Sequence, residues 1–497
     1  MGRGCHRQAL ARALHAAPPD PRRRHDAPGP QGLPALNFVC RLEATARRHP
    51  GKPALIWDGG RLTYGELEGR AGALARDLAA RGVRAGDRVA ISVANRWPLA
   101  AVTLATLKLG ATIAPLDPLL KPDERAEIVA DLRPAVVVED VADPGSHGWP
   151  GLARPTAPAM VLYTSGSTGR PKGALLSHAA VTFANESWAR AVMALTPDDV
   201  VLAVLPLTHA FGFNGALLAP LLAGATVVLV ERFTAHAVAH AIHEHGVTVF
   251  PGVATMFRRV LDLADFAGGG HFRLAVSGAA PCPFELAEEW RARTGTRLIR
   301  GYGMTELFRP ISYLAAGTTD LPGCIGRAVP GVELRVVDDD GRTLAAGATG
   351  ELWIRTPGAM DGYLEADEET RAVLCDGWFK TGDLASISDA GFVTIVGRKR
   401  ERILRGGHSV FPPEVETLLL THPAIAEAAV IGVPHPDLGE EVVAFVALRP
   451  GTAATAEDIV AYARARLAGF KYPRQVTVLP ALPRSATGKI LKARLIR

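Results

Sequence analysis

The chain has 497 residues, 48% of them apolar and 21% charged, with a formal net charge of +5. That length exceeds what one hydrophobic core usually serves, so two or more domains are expected. No apolar run approaches the roughly 18 residues that cross a bilayer, which argues against a helical membrane span, and the charge is too localised to indicate nucleic acid. Residues 1–32 hold six arginines against Asp20 and Asp26 and so carry most of the excess.

This Pro-, Gly- and Arg-rich head lacks the apolar core of a secretory signal and reads as a disordered basic tail over 1–32. Cys5, Cys40, Cys282, Cys324 and Cys375 are widely scattered and form no C-x-x-C pair. That spacing points to a reducing, cytoplasmic setting and to no zinc site.

Past the head, β-rich and helical stretches alternate. A capping box of Thr63 and Glu66 opens a helix that Gly82 closes. RVAISV (88–93) precedes an apolar helix expected near 97–109, and TIAPL, AVVVE (135–139) and MVLYT (160–164) follow. VVLAVL, ATVVLV, GVTVF and RLAVSG continue the pattern. Such alternation predicts an α/β fold of parallel sheets covered by helices. Ligands of such sheets bind at loops leaving the carboxyl ends of strands, and MVLYT runs into one such loop. In HAVAHAIHEH, His236, His240 and His243 share a helical face, but no carboxylate or cysteine pattern accompanies them, so a surface helix is expected there.

From about residue 330 closely spaced strands with turns, as in GVELRVVDDDGRTL and GELWIRT, predict a β-rich subdomain reaching residue 397. The large N-terminal domain would then cover 33–397. Beyond GFVTIVGRKR come a helix near 413–421, the strands AAVIGV and VVAFVAL, and a helix near 455–468. They predict a small α+β domain over 398–497, joined by a hinge at Arg398 to Arg400.

YTSGSTGRPKG (163–173) packs five hydroxyls, three glycines and one lysine into eleven positions. Glycines let backbone amides turn towards one point, hydroxyls add donors and the lysine adds charge, which together make a nest for phosphate. A flexible Ser/Gly linker has the same composition. The stretch is not a Walker motif, because Arg170 and Pro171 follow Gly169 and the proline disfavours a helix starting there. Lysine is scarce here, nine against 46 arginines, yet it recurs in PRSATGK at Lys489. A compact, rotatable ammonium suits a shifting phosphate differently from a planar guanidinium.

YTSGSTGRPKG, GYGMTE (301–306), WFKTGD (378–383), GRKRERI (397–403) and LPRSATGKI (482–490), in this order and spacing, resemble the adenylate-forming superfamily, which includes acyl-CoA synthetases, adenylation domains of peptide synthetases and luciferases. The resemblance covers about residues 33–497. It implies ATP-dependent activation of a carboxylic acid to an acyl-AMP, followed by transfer to a thiol, with a small mobile C-terminal domain that carries the catalytic lysine. ATP, Mg²⁺ and coenzyme A are the implied ligands. An acyl carrier protein is the alternative acceptor, and a non-catalytic nucleotide-binding relative is the alternative from another class.

Residue by residue, the resemblance implies that Thr164, Ser165, Gly166, Ser167, Thr168, Gly169 and Lys172 hold the β and γ phosphates. Tyr302 would stack on adenine, flanked by Ser277, Gly278, Ala279, Ala280 and Gly303. Thr305 would meet the α-phosphate and Glu306 would hold Mg²⁺. Asp383 would accept hydrogen bonds from the ribose hydroxyls, with Arg398 nearby. Lys489 would bridge carboxylate and α-phosphate oxygens as charge builds, with Thr305, Glu306 and His209 completing the catalytic set. Arg400 takes the hinge position, where relatives usually carry Asp or Lys, and Ser409 stands where they often carry Asn.

The acid itself is expected to be apolar. Relatives that activate amino acids place an aspartate after the residue matching Phe211, whereas here Gly212 follows it, and a buried ammonium without a counter-charge is costly. His209, Phe211, Gly212, Val253, Gly278, Gly301, Gly303 and Met304 would line a pocket with little charge, suited to a fatty or aryl acid.

Overall fold

The computed structural model describes residues 37–145, 158–165, 171–484 and 490–495. The basic head, Gly166, Ser167, Thr168 and Gly169 of the Ser/Gly stretch, and Lys489 lie outside the described residues.

Local signals start the elements. Thr63 Oγ1 accepts from Glu66 N–H while the Glu66 carboxylate accepts from Thr63 N–H at 2.7 Å, opening the helix Tyr64–Ala80. Gly82, at φ +93°, turns the chain away after its end. The helix Trp97–Lys108 is buried at every position after its first, as its apolar circumference requires. Its last residue, Lys108, meets the carboxylates of Glu43 and Glu68.

Two large sheets form an α/β core. One has seven strands in the order Arg297–Ile299, Leu274–Ser277, Val249–Gly252, Val200–Ala203, Thr226–Leu229, Pro53–Trp57, Gly60–Thr63. All neighbours in it are parallel except the last pair. The other has six strands in the order Gly362–Tyr363, Pro171–Leu176, Met160–Ser165, Thr112–Pro115, Arg88–Ile91, Val136–Val138. One hydrophobic core takes Leu55 and Val227 from the first sheet and Val89 and Ile113 from the second.

The Ser/Gly stretch starts, as expected, at the carboxyl end of a strand of the six-stranded sheet. It leaves the carboxyl end of Met160–Ser165 but returns at once as Pro171–Leu176, antiparallel to it, with Thr164 opposite Lys172 and Ser165 opposite Pro171. Only five residues separate the two strands, too few for the crossover that a parallel pair needs.

The closely spaced strands after residue 330 form a separate antiparallel sheet around Glu333–Val337, Gly350–Arg355, Trp378–Ile387 and Val393–Arg398. After the short turn Lys399–Glu401, Gly439–Leu448 pairs with Ile425–His435 and, in parallel, with Gln475–Val478. The helices Pro412–Leu420 and Ala456–Arg464 bury Val415, Leu419, Ile459 and Ala463 in the same small core. Lys399 ties the turn to the preceding sheet through Asp339 at 2.9 Å and Glu351 at 3.2 Å.

Candidate active site

Several of the residues singled out above follow the carboxyl ends of the parallel strands. His209, Phe211 and Gly212 follow Val200–Ala203, Val253 follows Val249–Gly252, Gly278, Ala279 and Ala280 follow Leu274–Ser277, and Gly301 follows Arg297–Ile299. Ala279 sits at φ +63°, a left-handed backbone that costs a non-glycine residue about 1 kcal/mol and is concentrated at functional sites.

GYGMTE forms the strand Gly301–Met304 and the turn after it, hydrogen-bonded back to Phe308–Ser312. Gly303 admits no side chain, since a Cβ there would overlap the Phe308 carbonyl oxygen. Thr305 and Glu306 occupy the turn. Glu306 is buried, and its Oε1 accepts from Tyr363 O–H at 2.8 Å.

Tyr363 connects this turn to the Ser/Gly hairpin. It pairs with Ala174 on Pro171–Leu176, and Lys172 Nζ lies 5.5 Å from the centre of its ring. Lys172 also stands 3.8 Å from Glu369. Burial first, then the Glu306 carboxylate, raises the Tyr363 phenol above its ordinary range, so it remains a donor. Tyr363 is a site residue that the sequence reading missed. A strand of two residues, Gly362–Tyr363, carries no periodicity to find it by.

A second cluster lies around WFKTGD. Asp383 is 3% exposed; it accepts from Tyr302 O–H and faces Arg398 Nε at 3.1 Å. Its backbone N–H donates to Thr381 Oγ1 at 3.0 Å. Burial pushes its carboxyl above the ordinary carboxylate range, with Arg398 and the Tyr302 hydroxyl acting against that rise. Tyr302, expected to act through its ring, is thus also held by its hydroxyl. Arg400 is exposed on the turn Lys399–Glu401, and Ser409 lies on the strand His408–Val410.

The expected acyl pocket is only partly as anticipated. Phe211 stacks on Trp188, centroids 5.4 Å apart and planes at 20°. Gly212 lies in the π-helical segment Phe211–Leu218, where a Cβ would overlap the Pro206 carbonyl oxygen. His209 Nε2 stands 3.4 Å from Asp117 Oδ2 and holds that carboxylate below its usual range. Asp117 arrives from the other sheet and no sequence signal marked it. The expectation of little charge is corrected by Arg309, which is 7% exposed and lies against Gly278 and Gly301. Its strand, Phe308–Ser312, is buried at every position, so no face of it offered the guanidinium a route to water.

The histidine face of HAVAHAIHEH stands outside this site. His236, His240 and His243 are exposed on the helix Ala235–Glu244, whose Val238, Ala241 and Ile242 face the core. Among the described residues no helix is long and apolar enough to cross a membrane.

Comparison with known proteins agrees with this architecture. The family described as AMP-binding enzyme matches residues 42–148 and 144–364, and the AMP-binding enzyme C-terminal domain matches 414–489. Indoleacetate–CoA ligase of Aromatoleum aromaticum is 34% identical over 91% of this chain and 96% of its own. Sulfoacetate–CoA ligase of Cupriavidus necator is 32% identical, covering 92% and 96%. The crystal structure of ATP-bound MatB from Rhodopseudomonas palustris superposes with a TM-score of 0.87 at 31% identity, over 93% of this chain and 98% of that one.

Proposed function

Because this chain belongs to the AMP-binding enzyme family, as an acid–thiol ligase, we propose that it joins a carboxylic acid to adenosine monophosphate and passes the acyl group to coenzyme A. One observation carries the reading: Tyr363 links Lys172 of the Ser/Gly hairpin to Glu306 of the turn beyond Gly301–Met304. A triphosphate chain needs its cationic hairpin and its carboxylate within reach of each other, and this side chain spans the two.

In this reading a carboxylate oxygen attacks the α-phosphorus of ATP and pyrophosphate leaves. The thiol then attacks the acyl carbon, AMP departs with the former carboxylate oxygen, and the thiol proton is released. Such chemistry rests on positioning and charge neutralisation. Thr164, Ser165, Gly166, Ser167, Thr168, Gly169 and Lys172 would hold the outer phosphates, and Thr305 the α-phosphate. Asp383 would exchange its present partners for the ribose hydroxyls. Glu306, with one carboxylate oxygen not bonded to any described residue, fits a hard cation's preference for oxygen; Mg²⁺ held there would neutralise phosphate charge.

Residues 33–397 would form the adenylation domain. Residues 398–497 would be the mobile domain, turning at Arg400 and carrying Lys489. The relatives named above act on chemically different acids, so relatedness alone does not select one. Phe211 stacked on Trp188 favours an apolar segment in the acid, of which a fatty acid is the simplest form, and an amino acid is disfavoured because Gly212 leaves no room for an acidic side chain.

The acceptor is tested directly. With acid, ATP and Mg²⁺, free coenzyme A is expected to yield acyl thioester at least 10-fold faster than a phosphopantetheinyl carrier protein at equal thiol concentration. The reverse order would assign the chain to carrier loading.

A further inference from the structure

Arg309 poses a physical problem that the ligase reading does not resolve. Its Nε donates to Ser312 Oγ at 2.9 Å and its Nη1 to the Ser277 carbonyl at 2.9 Å. Its guanidinium lies 4.9 Å from the centre of the Trp188 ring. Nη2, fully shielded from water, has no acceptor. No carboxylate pairs with Arg309 among the described residues, whereas buried Lys108 meets Glu43 and Glu68 and half-buried Arg297 meets Asp320. Burial without a counter-charge pulls the guanidinium down to about 9. A buried donor left unmet is costly, the more so when charged, and an apolar residue of similar size, such as methionine, would avoid that cost.

The position gives the charge a use. A Cβ on Gly301 would overlap Nη2, and one on Gly278 would stand 2.9 Å from Nη1 and 3.0 Å from Phe211 Cε1. The guanidinium therefore fills the space those two glycines leave, between Phe211 and the strand that leads to Thr305 and Glu306. A long alkyl chain entering there would meet a charged wall. The N–H donors left over, both on Nη2 and one on Nη1, can meet the two oxygens of a carboxylate or the oxygens of a sulfonate.

We propose that Arg309 is a specificity-determining residue whose Nη2 pairs with a second anionic group, so that the preferred substrate is a short acid anionic at both ends. This rests on the ligase reading and replaces the fatty acid named there with an acid whose apolar segment, against Phe211 and Trp188, is brief and ends in a second anion.

The test compares matched acids by pyrophosphate release from ATP: dicarboxylates of three to six carbons and their sulfo analogues, against the half-amides and monocarboxylates of equal length. The unaltered chain is expected to favour its best dianion over the matching half-amide by roughly 100-fold or more in kcat/KM, since a site built around a polar partner rejects analogues that lack it. Arg309→Met is expected to bring that ratio near 1, losing the dianion while gaining on the monocarboxylate, and Arg309→Lys to retain part of it. A preference for carboxylate or for sulfonate tails identifies the second anion. Equal use of neutral and dianionic acids by the unaltered chain would overturn the assignment with no variant needed, as would an Arg309→Met chain that folds yet loses all acids in the same proportion. Release of pyrophosphate with no acid at all would overturn the ligase reading and this inference together.

Discussion

Lys489→Ala is expected to slow acyl-adenylate formation from acid and ATP by about 10³-fold, while thioester formation from supplied acyl-adenylate and coenzyme A stays within about threefold of the unaltered chain. The asymmetry follows from where charge builds. Attack on the α-phosphorus piles negative charge onto oxygens shared by phosphate and carboxylate, and a compact ammonium with rotatable donors can follow it. Thiolysis releases AMP and has no such need. Lys489 lies outside the described residues, but both flanks of its segment are tied to the small C-terminal sheet. Ile490 bridges to Arg484, Arg484 bonds Glu427 at 2.6 Å, and Leu491 N–H donates to the Pro483 carbonyl. The lysine is therefore expected to travel with residues 398–497 in the proposed turn at Arg400. Rapid-quench measurement of the two half-reactions separates them, and equal loss in both would contradict alternation of the domains.

Asp383→Ala is expected to raise the KM for ATP about 30-fold, the scale of one lost charge-assisted hydrogen bond. The carboxylate is buried and now satisfied by the Tyr302 hydroxyl and Arg398. Nucleotide binding would substitute ribose hydroxyls for part of that set. Because burial raises its pKa, Asp383 takes up its proton at a pH above the ordinary carboxylate value. As pH falls through that raised value the acceptor charge disappears, so the KM for ATP should rise on the acid side. Asp383→Asn, which has no charge to lose, should abolish that limb. The same shift bears on stability with the opposite sense. The protonated form is the one favoured by folding, so its contribution is full below the unfolded-state value and lost as pH rises through the folded one. The Asn variant is therefore expected to melt no lower than its parent at neutral pH, which separates weakened binding from unfolding. An unchanged KM for ATP in both variants would remove Asp383 from the nucleotide site.

Much of this architecture could be read from the chain because the relevant forces are local. The Thr63–Glu66 capping box, the apolar circumference of Trp97–Lys108 and the β-rich runs each declare themselves within a few residues. What could not be read is set by contacts between distant segments. Tyr363 joins the site only because a two-residue strand pairs with Ala174 and Leu175, and Asp117 reaches His209 from the other sheet. Arg309 follows Glu306 by three positions, yet its inward course depends on a strand buried throughout and on Phe308 at φ +55°, a reversal invisible in composition. The apolar pocket inferred from Phe211, Val253 and Met304 was incomplete for that reason. The antiparallel pairing of Met160–Ser165 with Pro171–Leu176 was likewise a matter of connection length, since parallel strands need a longer crossover.

The chemistry at the centre of these inferences leaves an isotopic record. When the acid is supplied with ¹⁸O in its carboxylate, together with ATP, Mg²⁺ and coenzyme A, one labelled oxygen is expected in the phosphate of AMP for every thioester formed, with pyrophosphate as co-product. Label recovered in inorganic phosphate alongside ADP, or unlabelled AMP from thioester-forming reactions, would show that the acid is not joined to adenosine monophosphate.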